Sequence, residues 1–211
     1  MDKYHFKLRT CLRDPIPDIF EAARHLDAAV SAHLAGQREL ADELIRLADV
    51  PAITEWTESL WGSGGPWSRP LFPENPKTSV PKDQRVKARM PTKAVKIALL
   101  ARDGFQCRFC GIPLVRKETR ALIRDAYPAA LRWGDRNAEQ HAAFQAMWLQ
   151  YDHLLPHAKG GTNELSNMVA TCAPCNYGRW HLTLEQVGLT NPLLRDPIRS
   201  TWDGLERFGS R

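Results

Sequence analysis

The stretch 151–180, YDHLLPHAKGGTNELSNMVATCAPCNYGRW, decides how this chain is read. It holds an Asp-His pair (Asp152-His153), a proline (Pro156) and a Gly-Gly step (Gly160-Gly161). Two asparagines (Asn167, Asn176) and a CxxC (Cys172, Cys175) follow. A second CxxC, Cys107 and Cys110 in CRFC, lies upstream. Two such pairs supply four thiolates, the donor set of a closed tetrahedral zinc site. The other reading of a CxxC is redox chemistry.

Working outward, the chain has 211 residues, 43% of them hydrophobic and 25% charged. That suits one domain of moderate size or a small domain with an accessory one. The net charge of +5 and a pI of about 9.1 point towards a polyanionic partner without requiring one. The charge is unevenly spread. Acids outnumber bases between Asp14 and Glu58, and bases outnumber acids between Lys77 and Arg132. The basic stretch leads into the cysteine site, where it would attract phosphates by counterion release or serve as a solvated linker. Cys11 is left without an intrachain partner. The N-terminal residues MDKYHFKLRT have no apolar signal-peptide core, and no apolar run is long enough to span a bilayer. The expectation is a reducing, cytoplasmic setting with no membrane partner, where paired CxxC motifs favour metal over disulfide.

Apolar residues recur at helical spacing in PDIFEAARHLDAAVSAHL and again in QRELADELIRLAD, with Gly36 ending the first helix and Pro51 stopping the second. Trp56, Leu60 and Trp61 extend the apolar stripe. Residues 1–62 therefore read as a helical N-terminal region, a hairpin or small bundle. Residues 63–92, rich in Gly, Pro and then basic residues, read as a linker or extended arm, with Trp67, Leu71 and Phe72 lying along a surface. PTKAVKIALLARDG predicts a helix capped by Gly104 just before the first CxxC. Two further helices are predicted within 117–150, broken near Pro128 and Gly134. Residues 186–211 form a C-terminal tail. Trp133, Trp148 and Trp180 are expected in the core.

The order DH, Pro, GG, Asn-Met, CxxC, Asn and a basic residue resembles the HNH endonucleases, the ββα-metal nucleases. The resemblance covers roughly residues 95–182 and is strongest over 151–180. Met168 stands where Leu is commoner, and Arg179 where Lys is commoner. The long helical stretch after Cys110 departs from compact members. The resemblance implies an α+β fold: a zinc-stapled ββα core over 93–185, carrying a helical insertion at about 117–150. It implies that Asp152 and Asn176 hold a catalytic divalent cation, that His153 is the general base, and that Asn167 orients His153 or braces its loop. Hard oxygen ligands suit magnesium or manganese, and the four thiolates suit zinc.

Elementary chemistry agrees with these roles. Phosphodiester hydrolysis needs an activated water and relief of charge on the phosphate, and a neutral imidazole can accept the water's proton. On a strand, Asp152 and His153 would face opposite sides, so a bend near Pro156 is needed to bring both to one phosphate. Plainer readings remain for several residues. Asn167 would suit a turn and Asn176 a helix cap. Arg179 would be a phosphate contact or a solvated charge, and Lys159 a contact to the nucleic acid. His157 would support the cation ligands, act as a third ligand, donate to phosphate or lie on the surface. His5, His25, His33, His141 and His181 read as surface or packing residues. Lys82, Arg85, Lys87 and Arg89 sit in a stretch poor in apolar residues and are expected to hold the DNA backbone. The expected function is metal-dependent hydrolysis of DNA, leaving a 3′-hydroxyl and a 5′-phosphate by family precedent. Two rivals stand beside it. One is a catalytically silent, zinc-dependent DNA-binding module. The other is a nuclease subunit of a larger complex, such as a phage-defence assembly, recruited through the helical N-terminal region.

Overall fold

The computed structural model describes residues 8–61, 66–68, 70–71 and 79–210. Much of the Gly/Pro-rich stretch, including Phe72 and Lys77, and the N-terminal residues with His5 lie outside them. The described chain forms seven α-helices and one two-stranded sheet, a mixed α+β architecture around a ββα unit.

Helix α1 (Pro17–Leu34) starts with proline in its first turn, where the missing N–H costs nothing. It buries Ile19, Ala22, Ala23, Leu26, Ala29 and Val30 along one face. Gly36, at φ 80°, turns the chain into α2 (Arg38–Leu47), which packs back on α1 through Ala41 and Ile45. Pro51 stops nothing by itself: α2 has ended at Leu47, and Pro51 instead opens α3 (Pro51–Trp61). Trp56 of α3 is buried and donates its indole N–H to the Asp14 carbonyl at 2.8 Å, meeting the one polar demand of its ring.

These helices share a continuous apolar core with the rest of the chain. Helix α1 packs on α6 and α3 packs on α6 and α7, both introduced below. Polar ties cross the same boundary. The His141 ring bonds the Ile45 carbonyl at 2.8 Å, and Asp49 accepts from Arg132 at 2.7 Å and from the Ala142 N–H at 2.7 Å. The acidic N-terminal face is thus partly matched by bases from the remainder of the chain.

Helix α4 (Lys93–Asp103) is capped by Thr92, whose side chain accepts from the Val95 N–H, and ends at Gly104 with φ 68°. The first CxxC follows in a tight knuckle, closed by bonds from the Cys107 N–H to Ile112 and from the Gly111 N–H to Cys107, each 2.9 Å. The insertion is less helical than its sequence predicts. Helix α5 (Lys117–Ala126) ends before Tyr127-Pro128, as the clash of a proline ring with a preceding helical residue requires. The second segment yields only the short α6 (Ala142–Ala146), because Leu149 already enters a strand. Strand pairing across the core outweighs the local helix preference of QAMWLQ.

The ββα unit is β1 (Leu149–His153), β2 (Met168–Cys172) and α7 (Ala173–Arg179). The strands pair antiparallel, Leu149 opposite Cys172 and His153 opposite Met168. That register puts the Asp-His pair at the loop end of the sheet and the second CxxC at the other end. Among the described residues, no helix is long and apolar enough to cross a membrane.

Candidate functional site

Two features are built on the ββα unit, a cysteine cluster and a cleft. The cluster joins Cys107 and Cys110 of the knuckle to Cys172 and Cys175 at the β2–α7 junction. All four sulfurs lie within 4.8 Å of one another, and Cys110 Sγ is 3.6 Å from Cys172 Sγ. Four thiolates about 2.3 Å from a zinc ion would stand about 3.8 Å apart, so the cluster is sized for a metal ion. Burial alone would push the Cys107 thiol up. Bonds from the other three thiols and from Thr171 instead carry it well below its ordinary value. Burial and the other thiols raise Cys172 and Cys175. A coordinating cation would deprotonate all four thiols.

The knuckle is pinned to β2 by a residue the sequence did not single out. Asp103 is wholly buried and accepts from Arg102 at 2.7 and 2.8 Å and from the Ala170 N–H at 2.9 Å. Arg108 lies 3.5 Å from the same carboxylate. Arg102 also donates to the carbonyls of Leu165 and Met168, at 2.7 and 2.6 Å. An Asp at a helix end before Gly reads as ordinary solvated polarity, so nothing local announces this network.

The cleft has a volume of about 990 Å³. Asp152, His153, His157 and Asn176 line it, and so do Lys82, Arg85, Lys87 and Arg89. The basic segment is therefore no free linker here. The Val80 N–H donates to Ala158 at 2.9 Å, and the His157 ring donates from Nε2 to the Val86 carbonyl at 2.8 Å. Other bases of the positive stretch are paired within the protein: Arg102 and Arg108 with Asp103, Arg116 with Glu206 and Arg132 with Asp49.

His153 ends β1. Burial pushes its pKa below the usual histidine value, against the opposing effects of Asn163 and Asp152, so the ring is neutral near pH 7. Its Nε2 is 2.7 Å from the Asn163 side-chain oxygen. Asn163 was not foreseen, because GGTN carries only a turn signal. Asn167 serves the loop: its side chain accepts from the Leu155 N–H at 2.8 Å and donates to the carbonyls of Leu155 and Thr162. The two glycines make this loop possible. Gly160 takes φ 89°, and a Cβ on Gly161 would lie 1.8 Å from the Leu155 carbonyl oxygen. The loop bends the chain just after His153, so that both Asp152 and His153 line the cleft.

Two expectations need correcting. Arg179 is neither a solvated charge nor a surface phosphate contact in this structure. It is 1% exposed, and its guanidinium forks onto both oxygens of Asp152 at 2.6 and 3.1 Å. It also donates to the carbonyls of His153 and Leu182. Burial raises the Asp152 pKa, while the Arg179 charge opposes the rise. Trp180, expected in the core, is 74% exposed at the rim of the cleft and sits at φ 52°, rare for so bulky a residue. Trp133 and Trp148 are half-buried and meet edge to face, with the Arg120 guanidinium 3.4 Å from the Trp133 ring centroid. Lys159 lies half-buried beside Ala158 of the cleft wall.

The burial of Arg179 carries an expected result. Arg179→Met should destabilise the protein by about 3–5 kcal/mol, since it leaves the Asp152 carboxylate buried without its partner. Denaturant unfolding would measure this, and a loss under about 1 kcal/mol would mean the pair is screened by water.

Residues 142–186 match the family model of the HNH endonucleases. Over this segment the chain is similar to the HNH endonucleases. No curated protein and no solved structure matches the chain. The matched segment covers α6, both strands and α7, and contains Asp152, His153, Asn167, Asn176 and the second CxxC. Cys107 and Cys110 come from outside it, so the cysteine cluster ties the matched segment to the preceding knuckle. The basic arm also lies outside it. The family is one of endonucleases, and a nucleic-acid substrate and bound metal go with it.

Proposed function

We propose that the protein is a metal-dependent HNH endonuclease that hydrolyses DNA phosphodiester bonds. One observation carries this reading: Asp152, His153 and Asn176 line the same cleft as four cationic side chains of the arm. The neutral His153 ring would accept the proton of the attacking water. Asp152 and Asn176 would hold magnesium or manganese, which would relieve charge on the phosphate and the leaving oxygen. The donor set fits such an ion. Arg179 takes one acceptor position on each Asp152 oxygen, and a carboxylate oxygen has a second. The buried Arg179 charge opposes the rise that burial imposes on the Asp152 pKa. Zinc is the ion that best suits the four thiolates. A reducing compartment such as the cytoplasm suits a chain whose cysteines are free.

A silent DNA-binding module would have no need of a buried, oriented histidine beside a carboxylate. The apolar faces of α1 and α3 are covered by this chain's own α6 and α7, which favours an enzyme working alone over recruitment through that face. The test is plasmid nicking or linearisation by purified protein with magnesium or manganese, compared with the chelated protein. Cleavage only with the added cation is expected; binding without cleavage under every cation would leave the silent module standing.

The arm makes a separate expectation. Replacing Lys82, Arg85, Lys87 and Arg89 together with Ala should weaken duplex binding about equally across sequences. It should also flatten the salt dependence, by about 0.9 in the log–log slope per lost phosphate contact. Titrations at several salt concentrations would show it. An unchanged slope would place the phosphate contacts elsewhere, first at Lys159 and the helix after the knuckle.

A further inference from the structure

Asn163 joins two parts of the cleft that are far apart in sequence. Its side-chain nitrogen donates to the carbonyls of Ala88 and Met90, at 2.5 and 3.3 Å, and its oxygen faces His153 Nε2 at 2.7 Å. A side-chain amide can be turned either way, and the bonds available decide which way is right. Ala88 and Met90 offer only carbonyl oxygens, which accept. The NH₂ end of Asn163 must therefore face them. The oxygen end is then left for His153, and an oxygen only accepts. Two acceptors cannot bond, so Nε2 of His153 must carry a hydrogen.

We infer that the backbone of the basic arm, through Asn163, holds His153 as its Nε2–H tautomer and so makes Nδ1 the nitrogen that accepts the water's proton. This rests on the nuclease reading for the role of Nδ1, but not for the tautomer itself. In a neutral imidazole one nitrogen donates and the other accepts, so fixing one fixes the other. Asn163 is a positioning residue: it acts through His153 and not on the substrate. The arm that presents cations to the cleft is the same segment that sets the base. Three bonds keep it in place against the 157–163 loop, from Val80 to Ala158, from His157 to Val86 and from Asn163 to Ala88. An arm displaced from this loop would free the Asn163 amide to turn, and the His153 ring would lose its fixed proton.

The test uses the full-length, zinc-loaded protein, ¹⁵N-labelled at histidine, at a pH where His153 is neutral. The His153 resonances are identified by their loss in His153→Ala. The wild type should show a protonated Nε2 and an unprotonated Nδ1. Asn163→Ala should give a mixture of tautomers and a kcat for DNA cleavage about 10–100-fold lower, part of the 10²–10⁴ that a general base supplies. KM should stay within about twofold, because the bonds from Val80 to Ala158 and from His157 to Val86 still hold the arm's cations at the cleft. Asn163→Asp still presents an acceptor to His153, so it should keep the Nε2–H signature while losing its donors to the arm. A wild-type ring protonated on Nδ1 would overturn the inference even if no variant folded well enough to assay. So would wild-type kcat in Asn163→Ala. If the wild type cut no DNA yet carried the Nε2–H tautomer, and Asn163→Ala lost it to a mixture, the nuclease reading would fall and the positioning by the arm would stand.

Discussion

Cys172→Ser should yield protein that is insoluble or rapidly proteolysed, the largest effect expected of any single change here. Cys172 is fully buried, ends β2, opposes Leu149 in the sheet and caps the first turn of α7. Removing its thiolate would leave three ligands for an ion that needs four, at the junction where the knuckle, the sheet and the helix meet. No preformed site exists in an unfolded chain, so the binding free energy of a structural zinc is folding free energy, about 10–16 kcal/mol in small zinc domains. The ββα unit has only two strands of five residues and a seven-residue helix, and the cluster is where the knuckle is tied to it. Metal analysis of the wild type should find about one zinc per chain. Well-folded wild type without zinc would overturn the assignment, as would a soluble Cys172→Ser protein with unchanged unfolding.

The second large effect concerns chemistry and leaves the fold intact. His153→Ala should lower the rate of DNA cleavage by about 10²–10⁴-fold, with zinc content and unfolding transition close to those of the wild type. The separation is possible because His153 lies at the end of β1 facing the cleft, opposite the cysteine end of the sheet. Its buried ring bonds Asn163 and meets the ring of His157, which also lines the cleft. Asp152→Ala and Asn176→Ala should reduce cation-dependent cleavage by similar factors. The Asp152 variant should also lose stability, because it strands the buried Arg179 charge. Plasmid cleavage at matched protein concentration, read beside thermal unfolding, distinguishes the two kinds of loss. Wild-type cleavage by His153→Ala would remove it from the mechanism.

Much of the site was legible because its chemistry is written in short spacings. CxxC presents two sulfurs from one turn, and two such pairs state a metal before any fold is known. Asp-His followed by Pro and Gly-Gly describes a strand that ends in a tight loop, and the structure has β1 ending at His153 with Gly160 at positive φ. The first helix and the helix before the knuckle were legible for the same reason: an apolar period, a cap and a glycine lie within a few residues of one another. The insertion was not. Its sequence from Gln140 to Gln150 favours helix, yet Leu149 is drawn into a strand by its partner Cys172. That partner lies beyond the reach of any local pattern.

The amino-acid sequence by itself therefore determined the kind of chemistry this protein is built for: a four-thiolate cluster, an Asp-His pair, and the loop that turns between them and the second cysteine pair. Each CxxC, the Asp-His pair and the loop depend on residues close together along the chain, where backbone geometry leaves few choices. Only the tertiary structure decided which charges meet which partners. Arg179 looks like any other surface base until α7 folds its guanidinium onto Asp152 and burial removes the competing water. Asn163 looks like a turn residue until the carbonyls of Ala88 and Met90 arrive from more than seventy residues upstream to orient it. The physical reason is the same in each case. A polar side chain's role is set by the donors and acceptors that burial leaves it, and those are known only once the distant segments have packed.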